Sequence, residues 1–354
     1  MSEPHRRIVR DASAFREELW RAVTGRDEPA AIRIVLAAAD SGLAPEAVLL
    51  EVIAAVQRRV GAEWAANTLS VADEHTATAI NDRAVTALSL HVADAHPATA
   101  GRVTVACVDG EWHALPGRLV AEVLRLRGWQ VDFLGAQVPT RHLIAHLHNT
   151  GPDAVLLSSS LPTRLPTAHG TITACQAAGV PVLVGGAAFG PDGRYADLLG
   201  ADGWAPDAST AAELLAGGLR RERPDRPHRP LPHLADQEFT MIARSAPHLL
   251  ATTMAELEHR FPALRDYSEF QVERTAEDIA QILEFLATAL YLDDDMVFTT
   301  FVTWTAGVLS ARAVPAHSLF PVLDLLGGQL QDFPRARRIL AAATDALTDT
   351  ARTA

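Results

Sequence analysis

Apolar positions recur along this chain at two different periods, and the changes of period divide it. Phe15, Leu19 and Val23 repeat every fourth residue, Ala31, Ile32, Ile34, Val35 and Leu36 follow, and Val48, Leu49, Val52, Ile53 and Val56 make one apolar stripe. Such spacing predicts amphipathic helices. The pattern then shifts to short runs, Val103–Val108, Trp129–Leu134, Ala154–Leu157 and Val182–Val184, each leading into glycine or serine positions. The first of these, short, β-branched and bounded by Gly101 and Gly110, reads as a buried strand, and the other three read as strands. After the first strand, Leu119, Val123, Leu124 and Leu126 return to helical spacing until Gly128. Alternation of strand and helix predicts a parallel sheet covered by helices. From residue 236 the pattern is helical again. Ile242, Leu249, Leu250, Met254 and Leu257 mark one helix, ended at Pro262, and Thr275–Asp278 has the form of a capping box before Ile279, Ile282, Leu283 and Leu286. Asp293–Asp295 precede Met296, Val297, Phe298, Phe301, Val302 and Trp304; Pro315 and Pro321 frame His317; Val322–Gln331 and Ala336–Leu347 complete the set. The expected architecture is multi-domain α and α/β: a helical segment (1–96), a parallel-sheet domain (97–218), a Pro/Arg-rich linker (219–235) and an all-helical domain (236–354).

The strand ends carry the candidate chemistry. Glu111-Trp112-His113 leaves the first strand, Leu134-Gly135-Ala-Gln-Val138-Pro139 the second, Ser158-Ser159-Ser160-Leu161 the third and Gly185-Gly186-Ala-Ala-Phe-Gly190 the fourth. Open α/β sheets bind ligands at these carboxyl ends. The first loop is too poor in glycine to cradle a pyrophosphate, and no GxGxxG or GxxxxGK[ST] occurs. A histidine with an acid two residues earlier suits metal ligation, the acid orienting the ring through its other nitrogen.

In order, E-x-H-x-x-x-G, L-G-x-x-V-P, S-x-x-L and G-G-x-x-x-G resemble the cobalamin-binding Rossmann-like domain of corrinoid methyltransferases, mutases and light-sensing cobalamin regulators. One departure is plain: Pro116 stands three after the histidine, where that family has glycine, and Gly117 follows one later. The resemblance implies that His113 is the lower cobalt ligand and that Glu111 polarises its other nitrogen. It also implies that Gly117, Ser158, Gly185, Gly186 and Gly190 line a slot for the displaced nucleotide tail, with Trp112, Gly135, Val138 and Pro139 completing the cofactor contacts. Upstream, Trp64 followed by Glu74 and His75 resembles the four-helix cap of the light-sensing regulators, the tryptophan packing over the upper axial group and the Glu-His pair touching the adenosyl moiety. Ala65 stands where some of those relatives have a cobalt-capturing histidine.

The order of cap, cobalamin domain and a C-terminal domain of globin-like helical pattern resembles the photocobilins, photoreceptors that hold a cobalamin and a linear tetrapyrrole. This implies a light sensor, not an enzyme, that binds adenosylcobalamin and biliverdin and signals through a downstream protein or a change of assembly, a homodimer being favoured. The bilin attachment is expected to be non-covalent, because Cys107 and Cys175 both fall in the sheet domain. Tyr291, Phe301 and Trp304 would pack the pigment, Arg244, Arg274 and Arg312 would receive its propionates, and His317 would bond a pyrrole or lactam. Two other readings use the same residues: a corrinoid methyl carrier of a cobalamin-dependent methyltransferase, and a cobalamin sensor without photochemistry.

Composition narrows the setting. The chain has 354 residues, 48% of them hydrophobic, with a net charge of −12 and a mean hydropathy near zero. That charge argues against broad nucleic-acid binding, and helices expected almost from the first residues leave no room for a DNA-binding head. No run approaches the roughly 20 apolar residues of a membrane span, and the N-terminus lacks the apolar core of a signal peptide. With two cysteines and no disulfide framework, a cytoplasmic location is expected. Five arginines and four prolines in Leu219–His233 read as a semi-extended linker.

Overall fold

The computed structural model describes residues 11–219, 231–260 and 266–353. These fall into two compact units, one within Met1–Pro227 and one within His228–Ala354. The N-terminal unit begins with α1 (Ala12–Thr24) and α2 (Glu28–Asp40). A continuous run follows: the single turn α3 (Pro45–Ala47), a π-helical stretch (Val48–Ile53) and α4 (Ala54–Ala65). The last helix of the cap is α5 (Val71–Val92). Local chemistry sets the starts. Asp27 accepts a hydrogen bond from the backbone N–H of Ala30 ahead of α2. Ser70 and Asp73 exchange the reciprocal bonds of a capping box ahead of α5.

The sheet alternates as expected: β1 (Gly101–Cys107), α6 (Ala114–Leu126), β2 (Trp129–Gly135), α7 (Thr140–Thr150), β3 (Ala154–Ser158), α8 (Leu165–Ala177) and β4 (Val182–Gly185). The chain then adds α9 (Arg194–Leu198), β5 (Gly203–Ala205) and α10 (Ala208–Ala216). All pairings are parallel and the five strands lie in the order β2-β1-β3-β4-β5. The strand order reverses between β1 and β3, so their carboxyl ends flank the crevice where such sheets bind ligands. Cap and sheet share one hydrophobic core. Phe15, Leu19, Val52 and Val56 pack with Val103, Val105, Leu124, Leu156 and Leu183.

In the C-terminal unit, α11 (Glu238–Arg260), α12 (Glu269–Leu292), α13 (Asp295–Ala311), α14 (Phe320–Gln329) and α15 (Pro334–Thr353) bury Ile242, Leu249, Ile282, Leu286, Phe298, Leu326 and Ile339. Asp294 caps α13 by accepting from the N–H of Met296, as the acidic run leads one to expect. The capping box expected at Thr275–Asp278 is displaced: Ser268 and Gln271 form it, and Thr275 lies inside α12 with its hydroxyl donating to the carbonyl of Gln271. The first turns of α12 expose Phe270 and Val272, so no buried apolar stripe marks them in the sequence. Pro262 and most of the expected linker lie outside the described residues. The linker's last residues belong to the helical unit, where Pro232–Asp236 forms a short 3-10 turn and His233 Nε2 bonds the carbonyl oxygen of Tyr291. No described helix is long and apolar enough to cross a membrane.

Candidate metal and cofactor site

β1 ends at Cys107, and the loop beyond it delivers Glu111 and His113 to the first turn of α6. Glu111 is completely buried, whereas just over half of the His113 side chain, 53%, is exposed. One carboxylate oxygen of Glu111 accepts the backbone N–H of His113 at 3.0 Å and lies 2.6 Å from its Nδ1. The other accepts the backbone N–H groups of Ser160 at 2.7 Å and Leu161 at 3.0 Å, and the Ser159 hydroxyl at 3.2 Å. Glu111 thereby ties the loop after β1 to the loop after β3. A third loop closes on the same residue, since the Gln137 N–H donates to the Glu111 carbonyl.

These bonds fix the electrostatics. Burial pushes the Glu111 carboxyl up, but the hydrogen bonds from His113, Leu161 and Ser160 outweigh it and hold the group at about 2. The Glu111 hydrogen bond raises His113 above its ordinary value of 6.5 against the opposing effect of burial, with smaller contributions from the charges of Glu111 and Glu74. With Nδ1–H donated to the carboxylate, Nε2 is the nitrogen left for a ligand. This is the arrangement of a metal-binding imidazole and its orienting acid.

Beside this pair lies a cavity of about 210 Å³. Pro116, Gly117, Leu119 and Val120 of α6 form one wall, Ser158, Gly185 and Gly186 the strand ends, and Ala205, Pro206, Asp207, Ala208 and Ala211 the wall towards α10. At Gly117 a Cβ would stand in ordinary contact, 3.4 Å from Ser158 Cβ and 3.6 Å from both the Cys107 sulfur and the Phe133 ring, so a methyl group would fit there and the glycine leaves that space to the cavity. Gly186 is constrained more severely, because at φ +100° a Cβ would approach the Ser159 carbonyl oxygen to 2.2 Å. Cys107, behind Gly117, is buried, and burial and the Glu111 charge push its thiol up to about 12, so it stays neutral. Of the expected slot residues, Gly117, Ser158, Gly185 and Gly186 line this cavity and Gly190 does not. A Cβ on Gly190 would meet Asp192 and Tyr195 instead, which makes it a turn residue.

The cap contributes Leu50, Ala54 and Arg58 to the same cavity, and none of the three is signalled by a motif. Farther along α4, Trp64 is half-buried, and Glu74 and His75 stand on the first turns of α5. His75 Nδ1 lies 2.5 Å from Glu74 Oε2, while Glu74 Oε1 accepts the Thr78 hydroxyl. Gln57 donates to Thr78, and the wholly buried Asn81 donates to Gln57, so a polar chain from α4 and α5 holds Glu74. Trp112 is 66% exposed, Val138 is buried and Pro139 caps α7; Gly135 ends β2.

The residues expected to hold a bilin do not converge. Phe301 is a core residue stacked on Phe285 at 3.8 Å. Tyr291 packs edge-on against Phe239 near the end of α12. Arg312 and His317 follow the far end of α13, whose 17 residues span about 25 Å at the helical rise. Trp304 is half-exposed, Arg312 donates to the carbonyl of Val308, Arg274 pairs with Glu277, and Arg244 and His317 are exposed.

Two B12 binding domain models match the chain, one over residues 101–213 and the other over residues 15–89. The HTH-type transcriptional repressor CarH of Myxococcus xanthus is 33% identical over 186 residues, which are 50% of this chain and 59% of the repressor. Dimethylamine corrinoid protein 3 of Methanosarcina mazei is 32% identical over 124 residues, 33% of this chain and 73% of that protein. The solved monomethylamine corrinoid protein of Methanosarcina barkeri shares the fold, with a TM-score of 0.51 at 18% identity, covering 58% of this chain and 99% of that one.

Proposed function

The chain belongs to the B12-binding family of corrinoid proteins, and from that premise we propose that it is a cobalamin-dependent light sensor. The observation that carries the reading is the Glu111–His113 pair, whose Nε2 takes no part in the bond to Glu111, on the loop that leads into the helix walling a narrow, mostly apolar cavity. These residues fit the cofactor. His113 would hold the cobalt from below, Glu111 would keep the ring in the ligating tautomer, and Gly117, Ser158, Gly185 and Gly186 would admit the nucleotide tail. Trp64, Glu74 and His75 would cover the upper face and favour an adenosyl group. Bound adenosylcobalamin would supply a light-labile cobalt–carbon bond. The chain's own part is to orient the imidazole, exclude water from the tail and place the cap where a change at the upper face alters its packing. In the C-terminal unit biliverdin would be a non-covalent ligand near Trp304 and Arg312, towards and just beyond the end of α13. A homodimer and a separate signalling protein complete it.

The test is the visible spectrum of the full chain loaded with adenosylcobalamin in darkness, recorded before and after illumination, alone and with biliverdin. A light-driven change that is slower to complete, or absent, in Trp64→Ala supports the sensor. A spectrum unaffected by light contradicts it. The match to a dimethylamine corrinoid protein over 73% of that protein's length favours a methyl carrier as the second reading. A carrier accepts and donates methyl groups with a partner methyltransferase and shows no preference for the adenosyl form.

A further inference from the structure

Two of the residues lining the cavity beside Gly117 are charged, Arg58 and Asp207. Asp207 is already engaged: its side chain caps α10 by accepting from the N–H of Thr210 at 2.8 Å. Arg58 is not. Among the described residues it has no hydrogen-bond or ion-pair partner, in contrast to its neighbour Arg59, which pairs with Glu17 and Glu63 and stacks over Trp20. Leu50, Ala54 and Arg58 are spaced four apart, so they stand on one face of the helical run and turn it towards the cavity. The first two are apolar and the third is exposed, so this wall ends in a guanidinium at solvent.

An unpaired, exposed guanidinium on a slot whose other lining is apolar, apart from Ser158 and the helix-capping Asp207, suits an anion carried by whatever enters it. Arginine binds phosphate oxygens through paired N–H groups and cannot lose its charge. We infer that Arg58 is the cap's phosphate anchor: it receives the phosphodiester of the nucleotide tail and so selects complete cobalamins over tail-less corrinoids. The inference rests on the cobalamin reading above and adds a specificity-determining residue to it. It also gives the cap a contact with the lower part of the cofactor, so that α4 holds the tail through Arg58 and reaches the upper face through Trp64.

The experiment compares cobalamin with cobinamide, the corrinoid that lacks the nucleotide tail, by titrating full-length wild type, Arg58→Ala and Arg58→Lys. Arg58→Ala is expected to weaken cobalamin binding about tenfold, the size of one charge-assisted hydrogen bond at a partly solvated site, and to leave cobinamide binding unchanged. Arg58→Lys should recover part of the loss, and the wild-type preference for cobalamin should shrink as salt is raised. Equal weakening of both corrinoids in Arg58→Ala, or no weakening of either, overturns the anchor while leaving the cobalamin reading intact. Wild type that binds neither corrinoid overturns the cobalamin reading itself, and the anchor with it.

Discussion

Each unit of this molecule contains a buried glutamate at the start of a helix, and the two are used in opposite ways. In the C-terminal unit Glu238 is 5% exposed. Its two oxygens accept the backbone N–H groups of Arg335 at 3.1 Å and Ala336 at 2.9 Å, which open α15. The Arg335 side chain in turn donates to the carbonyls of His233 and Leu290 and pairs with Asp236 and Asp293. These bonds join the chain to itself. In the N-terminal unit Glu111 also binds backbone N–H groups, but it holds a side chain as well, and that side chain keeps its other nitrogen out of the network. Burial and hydrogen bonding do not separate a fastening from a site. What separates them is whether the polar network ends on other groups of the protein or at a group left free for a ligand.

Removing the end of the second network should have the largest effect. His113→Ala is expected to leave a folded protein that loses cobalamin by more than the roughly 10–100-fold typical of losing an outer-shell partner, with a changed visible spectrum. Equal affinity and an unchanged spectrum would show that the free nitrogen is not a ligand. Glu111→Ala should fall within that 10–100-fold range, provided the loops after β1 and β3 keep their places; circular dichroism of the unloaded variant checks this. For the first network, Glu238→Ala leaves two helix-start N–H groups without their acceptor. It should destabilise the C-terminal unit by about 1–3 kcal/mol, read as a lower urea midpoint, with cobalamin affinity unchanged. Loss of cobalamin in this variant would mean that the network serves the site after all.

The smallest effect is on pH dependence in the unloaded protein. Glu111 is held near 2 against an ordinary value of 4.5, so its contribution to stability is present above 4.5 and is lost as pH falls towards 2. His113 is raised, so its contribution is complete below 6.5 and is lost as pH rises through its folded value. The pair therefore adds most between about 4.5 and 6.5. Urea midpoints measured across pH should show this maximum in wild type and a flatter profile in Glu111→Gln.

The legible and illegible parts of the site differ in kind. Glu111, His113, Ser158, Gly185 and Gly186 are readable because they stand at or just beyond strand ends, and Gly117 because it follows them into α6. The partners that make Glu111 a strong anchor are the backbone N–H groups of Ser160 and Leu161. Almost any residue supplies an N–H, so these leave no trace in sequence. Arg58, Leu50 and Ala54 reach the cavity from another part of the fold, and only the packing of cap on sheet brings them there. The same limit applies to the helices. β1 to β4 are apolar enough to read directly, whereas β5 is three residues long and gives no periodic signal. The true start of α12 was hidden because its first turns are solvated, and Thr275 offered the same hydroxyl-and-polar pattern next to the buried stripe.

The central claim is that the free nitrogen of His113 binds cobalt. Electron paramagnetic resonance tests it on full-length protein in which histidine alone carries nitrogen-15, loaded with cobalamin and reduced to the paramagnetic cobalt(II) state. Coupling to a protein histidine predicts that each axial nitrogen triplet seen with unlabelled protein becomes a doublet, and that His113→Ala abolishes the doublet. A triplet that survives histidine labelling would place the cofactor's own base, and not His113, on the metal.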